Sequence, residues 1–311
     1  MATHSTSSSK PTESQMIEGV DDVTPAVISA MSKAPNARLR QLSESFVRHI
    51  HAFAREVKLT ETEYEIGIDF LNRIGKATTD AHNEGVLFVD AIGLSTLVCL
   101  QNNGDYGATE TTSSLLGPFW RQHSPRTENG GSIVRSPTPG PELFVSCLFK
   151  DVKGSPIPGV EVDVWQASPV GLYENQDDSQ ADMNLRGKLI TDVQGRLQFR
   201  SVKPAAYPVP TDGPVGDMLR LQQRHPYRSA HLHFLGCKPG YKTLVSQIFP
   251  GDDEYLDTDV VFGATRHLIA NFKRHDSGSA PTPGVQAPWY TLEYTFVMES
   301  GESKLPAPPI K

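Results

Sequence analysis

The sequence predicts an α+β protein in which an N-terminal helical region is joined to an all-β sandwich core. Three observations lead there. Apolar residues in the first third recur at three- and four-residue steps, the spacing of one helical face. Beyond about residue 140 they instead alternate with polar ones, as in strands. Glycine (25) and proline (24) together exceed their average share of about 12%, which suits the turns of many short strands. A hydrophobic content of 38% is enough to bury a core.

The expected order is a flexible N-terminal tail (1–36), a helical region (37–115), a β-sandwich domain (116–300) and a flexible C-terminal tail (301–311). The opening residues MATHSTSSSKPTESQ are polar and lack the apolar run of a signal peptide. Leu39, Leu42, Phe46, Ile50 and Phe53 fall on one helical face, and packing is the simplest role for such a stripe. Thr60 and Glu63 have capping-box spacing and open a second helix through Tyr64, Ile68 and Leu71. Leu87, Ala91, Leu94 and Val98 mark a third, with a stop at Asn102-Asn103-Gly104. Asp90 interrupts that apolar pattern; solvent is the ordinary place for such an Asp, a pocket the alternative. Strand patterns follow at Leu143–Phe149, at Val160–Gln166 with Glu161 and Asp163 facing away from the valines, and at Tyr290–Phe296. Asp192-Val193-Gln194-Gly195 is a turn between two further short strands.

A net charge of −7 argues against a nucleic-acid partner, which would demand a basic face. No stretch reaches the roughly 20 apolar residues of a membrane span. Ser303-Lys304-Leu305 resembles a peroxisomal address but is internal. The three cysteines, Cys99, Cys147 and Cys237, are too few and too scattered for a disulfide framework or a cysteine zinc site. The expected location is cytoplasmic.

The common catalytic signatures are missing: G-x-S-x-G, the P-loop, G-x-G-x-x-G, C-x-x-C and H-E-x-x-H. What stands out is Arg228-Ser229-Ala230-His231-Leu232-His233-Phe234. On a strand, His231 and His233 present two imidazoles to one side while Leu232 and Phe234 face the other. An H-x-H pair alone is a weak metal signal. Tyr173 and Tyr207 lie in Gly/Pro-rich connections, where a scaffold often holds functional side chains. Ionising a tyrosine of pKa ~10 at pH 7 costs about 4 kcal/mol. A trivalent ion offsets two such costs more readily than a divalent one.

Taken together these motifs resemble the intradiol ring-cleavage dioxygenases, most closely their hydroxyquinol 1,2-dioxygenase branch. The resemblance runs from about Leu87 to Phe272. It rests on Leu116-Gly117-Pro118-Phe119, Gly159 through Ala167, Gly171-Leu172-Tyr173, Leu185-Arg186-Gly187, Thr191-Asp192 and Arg228 through Phe234. Asp163-Val164-Trp165-Gln166, Tyr207 through Gly216 and Arg224 through Arg228 favour the hydroxyquinol branch. Ser229 stands where the family usually has proline, and Gln247 where hydroxyquinol enzymes commonly have histidine.

The resemblance implies one Fe(III) per subunit, with Tyr173 and His231 as equatorial and Tyr207 and His233 as axial ligands. It also implies catalytic roles for Arg228, Tyr207 and Gln247, and a pocket walled by Leu87, Leu116, Gly117, Pro118, Phe119, Val209 and Pro210. Asp90 would be the polar exception, accepting a hydrogen bond from a third substrate hydroxyl. The implied partners are a small aromatic diol or triol, O2, and a second copy of the chain through the helical region. The alternatives are catechol as substrate and, in a different class, a metal-free β-sandwich binding module.

Overall fold

The computed structural model describes residues 16–79, 82–103 and 110–309. The sequence expectations for residues 1–15, for Gly104 and for the last two residues lie outside these. Two compact units are present, Met1–Phe70 and Leu71–Lys311.

The first unit holds helices α1 (Val20–Met31), α2 (Ala37–Glu56) and the start of α3 (Glu61–Ala77). Helix α1 corrects the expectation of a flexible tail through residue 36. Asp22 caps it by accepting from the Glu18 and Gly19 amides at 3.1 and 3.0 Å. Arg55 of α2 then ties it down through Val20 O (3.1 Å) and Thr24 Oγ1 (2.8 Å). Asn36 caps α2. The Thr60–Glu63 capping box forms as the spacing predicts, with Thr60 N donating to Glu63 Oε2 at 2.9 Å. The apolar stripe of α2 differs from expectation: Leu39, Leu42, Phe46, Ile50 and Phe53 are 46–69% exposed in the single chain.

In the second unit, the third helical pattern divides into α4 (Glu84–Ala91) and α5 (Leu94–Asn102), bent by 77°. Gly93 makes the break at φ 74°, a left-handed conformation that costs glycine nothing. Helix α4 packs Leu87 and Ala91 against Val215 and Leu219 of α6 (Pro214–Leu221). That packing places α4 with the sandwich, in the unit that begins at Leu71 rather than at residue 116. Among the described residues no single helix is long and apolar enough to cross a membrane.

The remaining strands are β1 (Glu142–Asp151), β2 (Glu161–Trp165), β3 (Arg186–Ile190), β4 (Arg196–Val202), β5 (Tyr207–Pro208), β6 (Tyr227–Arg228), β7 (Leu232–Cys237), β8 (Leu244–Pro250), β9 (Ile269–Ala270), β10 (Phe272–His275) and β11 (Trp289–Met298). They form a four-stranded sheet β10-β11-β1-β4, a five-stranded sheet β3-β2-β7-β8-β9 and the small ladder β5-β6. The inner faces meet in one core, with Val145, Phe149, Phe199, Leu292 and Phe296 from the first sheet against Val162, Val164, Leu232, Phe234 and Ile248 from the second. The turn at Asp192 is present, its carboxylate accepting from Gln194 N and Arg196 N at 2.8 Å each. It joins two sheets instead of closing a hairpin, since β3 and β4 belong to different layers. Asp163, expected on an open face, is only 3% exposed. Lys188 reaches over it from β3 and Ser124 from the segment that precedes β1.

Candidate active site

The outer face of the five-stranded sheet carries the site. Period-two alternation sends Leu232 and Phe234 of β7 into the core and turns His233 to the opposite side. Strand register aligns three side chains there: Trp165 pairs with His233, and His233 with Gln247. His231, just ahead of β7, turns to the same side, and its Nε2 lies 3.0 Å from Nε2 of His233. The ladder β5-β6 sets Tyr207 opposite Arg228. Tyr173 comes from the loop after β2, its phenol oxygen 3.4 Å from that of Tyr207. Tyr207 and His231 complete the link, their ring centroids 5.6 Å apart. All four side chains are at most 6% exposed.

Close packing fixes each ring. Trp165 stacks on His233 at 4.5 Å and 6°. Phe119 stacks on Tyr173 at 4.5 Å. Arg186, itself 1% exposed, donates to Glu174 Oε1 at 2.7 Å and to Phe119 O at 2.6 Å, clamping both sides of that stack. Two glycines let backbone in close. A Cβ at Gly117 (φ +74°) would sit 3.2 Å from His233 Cε1, and one at Gly171 (φ +85°) 3.0 Å from Tyr207 Cβ.

Arg228 is a second buried cation of the site. Its Nε and Nη2 donate to Asp259 at 3.3 Å each, Nη2 to Gln247 Oε1 at 3.1 Å, and Nη1 to His231 Nε2 at 3.3 Å. Gln247 in turn donates from Nε2 to Leu115 O at 2.7 Å. Burial works against the charge of Asp259, but Arg228 beside it holds the carboxyl below its ordinary range. Burial, reinforced by Arg228, pushes His231 down to about 3. Burial followed by His231 takes His233 well below the usual imidazole range. Both rings are therefore neutral at pH 7. Burial, with Tyr207 next to it, drives Tyr173 well above 10, so a phenolate here requires a strong cation.

Among the described residues no three His, Cys, Asp or Glu side chains converge on a metal position. A metal at this place must take tyrosine. Two neutral imidazoles and two phenol oxygens, all buried, fit a hard ion of high charge with mixed nitrogen and oxygen donors.

A cavity of about 910 Å³ opens beside these groups. Leu87, Asp90, Leu116, Gly117, Pro118, Phe119, Val209 and Pro210 all line it, as do Tyr207 and Arg228. Tyr173, His231, His233 and Gln247 lie behind that lining. Asp90 points to the cavity rather than to bulk solvent, and burial raises its carboxyl, with Ser95 as a hydrogen-bonding neighbour. Sequence reasoning did not single out Ser95, Asp259 or Glu174, nor His82, Val86 and Val261 on the cavity wall. None belongs to a local pattern; only the fold brings them in.

A family model described as "Dioxygenase" matches residues 115–299, and "Catechol dioxygenase N terminus" matches 36–109. This chain belongs to the intradiol dioxygenase family. It is 38% identical to catechol 1,2-dioxygenase of Candida albicans over 88% of its length and 90% of that protein. It is 37% identical to hydroxyquinol 1,2-dioxygenase of Nocardioides simplex over 93% and 99%. The solved hydroxyquinol 1,2-dioxygenase from Pseudomonas putida DLL-E4 superposes with a TM-score of 0.83 at 36% identity, covering 91% of this chain and 99% of that one. As an intradiol dioxygenase the protein is a ring-cleaving enzyme with a mixed α+β fold.

Proposed function

We propose that this intradiol dioxygenase cleaves hydroxyquinol between adjacent hydroxylated carbons, giving 3-hydroxy-cis,cis-muconate or its tautomer maleylacetate, at an Fe(III) held by Tyr173, Tyr207, His231 and His233. The observation that carries the substrate is Asp90, a buried carboxyl on the cavity wall shared with Leu87, Leu116, Phe119 and Val209. A ring with a third hydroxyl gives that carboxyl a substrate donor in addition to Ser95, whereas catechol supplies none.

When bound, ferric iron would supply Lewis acidity toward the diol oxygens and an electron acceptor for reaction with O2. The chain's own groups do the rest. Tyr207 is the one of the four proposed ligands that lines the cavity, so its oxygen, as the phenolate, is placed to take up a hydroxyl proton from an entering diol. Arg228, protonated throughout, stabilises negative charge that develops on the substrate oxygens. Asp259 and Gln247 hold the guanidinium in place for that task. Leu87, Leu116, Phe119, Val209 and Pro210 orient the ring and keep water away.

Catechol is the second reading, favoured by Gln247, which stands where hydroxyquinol enzymes commonly carry histidine. Homodimerisation through the helical region is supported by the exposed stripe on α2. Oxygen uptake with the purified enzyme on hydroxyquinol and catechol tests the substrate: kcat/KM higher for hydroxyquinol is expected, and a preference for catechol overturns it.

A further inference from the structure

The chain leading into β7 contains a connection that the reaction described above leaves unused. His231 Nδ1 donates to the Ser229 carbonyl oxygen at 2.7 Å. At the other end of that same peptide group, Ala230 N donates to Asp253 Oδ2 at 3.2 Å. Ser229 Oγ donates to Asp253 Oδ1 at 2.8 Å, and Tyr255 N donates to the same oxygen at 3.0 Å. We propose that Asp253 is a positioning residue that fixes the tautomer and orientation of His231 through the Ser229–Ala230 peptide group.

The peptide is conjugated, so drawing its N–H toward a carboxylate strengthens its carbonyl as an acceptor. The carboxylate thus acts on the imidazole from one peptide group away, much as a carboxylate in direct contact would. With Nδ1 carrying the proton, the Nε2 lone pair faces His233 and Arg228. Ser229 is 0% exposed, and without Asp253 its hydroxyl would be a buried donor with no acceptor. Where the family usually has proline, this chain has a serine that adds a second arm to the carboxylate. Among the described residues no carboxylate serves His233 in this way. Its Nδ1 lies 3.4 Å from Gln247 Nε2, and stacking on Trp165 holds its plane instead. Asp253 sits in the turn after β8, its own amide donating to Pro250 O at 3.2 Å, and does not line the cavity.

The test is a long-range proton–nitrogen NMR spectrum of the 15N-histidine-labelled, metal-free, full-length chain, read for wild type, Asp253→Asn, Asp253→Ala and Ser229→Ala. Wild type is expected to show His231 as a single Nδ1–H tautomer, and an Nε2–H form in wild type alone overturns the proposal. Both Asp253 variants are expected to show a mixture of tautomers, while Ser229→Ala, which keeps the Ala230 contact, retains one. A single unchanged tautomer in a folded Asp253→Asn chain also overturns it. A second reading rests on the Fe(III) assignment: iron-loaded Asp253→Asn should lose its metal to a chelator about tenfold faster than wild type. If the tautomer shifts but wild type holds no iron, the ligand assignment fails and the role of Asp253 stands.

Discussion

The Nε2 atoms of His231 and His233 face each other at 3.0 Å in a pocket that admits almost no water. Two imidazolium ions cannot share that space, and burial already lowers His231 to about 3. An unfolded histidine titrates near 6.5. The folded chain therefore binds fewer protons than the unfolded one between those values. The stability the pair contributes is complete above about pH 6.5 and is lost as pH falls toward 3. Metal-free protein should show a Tm that declines over that range, and the decline should be shallower in His231→Asn/His233→Asn. An identical decline in the double variant would remove the pair as its cause.

Tyr207→Phe removes the proposed base at the cavity wall while leaving its ring. Turnover should fall by about 100-fold or more, the ordinary worth of a positioned proton acceptor. Stopped-flow oxygen consumption reads this directly, and near-normal turnover assigns the proton to another group.

For Asp90→Ala, the loss of one hydrogen bond to a carboxylate corresponds to about 1.5–3 kcal/mol, or some ten- to hundredfold in selectivity. The ratio of kcat/KM for hydroxyquinol over catechol should drop accordingly. An unchanged ratio places substrate discrimination elsewhere on the wall.

Asp259→Asn strands Arg228 as a buried cation without a counter-charge. Breaking such a pair typically costs about 3–5 kcal/mol. Urea unfolding should report a loss of that order together with slower turnover; a loss under 1 kcal/mol means that Gln247 and water suffice to hold Arg228.

Much of this was legible in the sequence because local rules governed it. A strand-length apolar run identified β1, alternation identified β11, the Thr60–Glu63 spacing opened α3, and the two-residue step from His231 to His233 gave the imidazole pair its common direction. What escaped depended on distant chain. Gly93 splits one apolar pattern into two helices, a decision of backbone conformation that periodicity does not register. Helix α1 was hidden by Pro25 and by the polar residues before it. Asp163 reads as solvent-facing until Lys188 and Ser124 cover it. Asp259 and Asp253 carry no motif, and each matters only through a partner more than twenty residues away. The stripe on α2 shows the converse, since the pattern was right and its burial within one chain was not.

The claim on which the rest depends is that Tyr173, Tyr207, His231 and His233 together hold one ferric ion. Metal analysis of the purified protein, with resonance Raman excitation in the visible phenolate-to-iron band, tests it most directly. One iron per chain is expected, with tyrosinate vibrations that weaken in both Tyr173→Phe and Tyr207→Phe. A folded, active enzyme that carries no iron, or whose tyrosinate signal survives both substitutions, would contradict it.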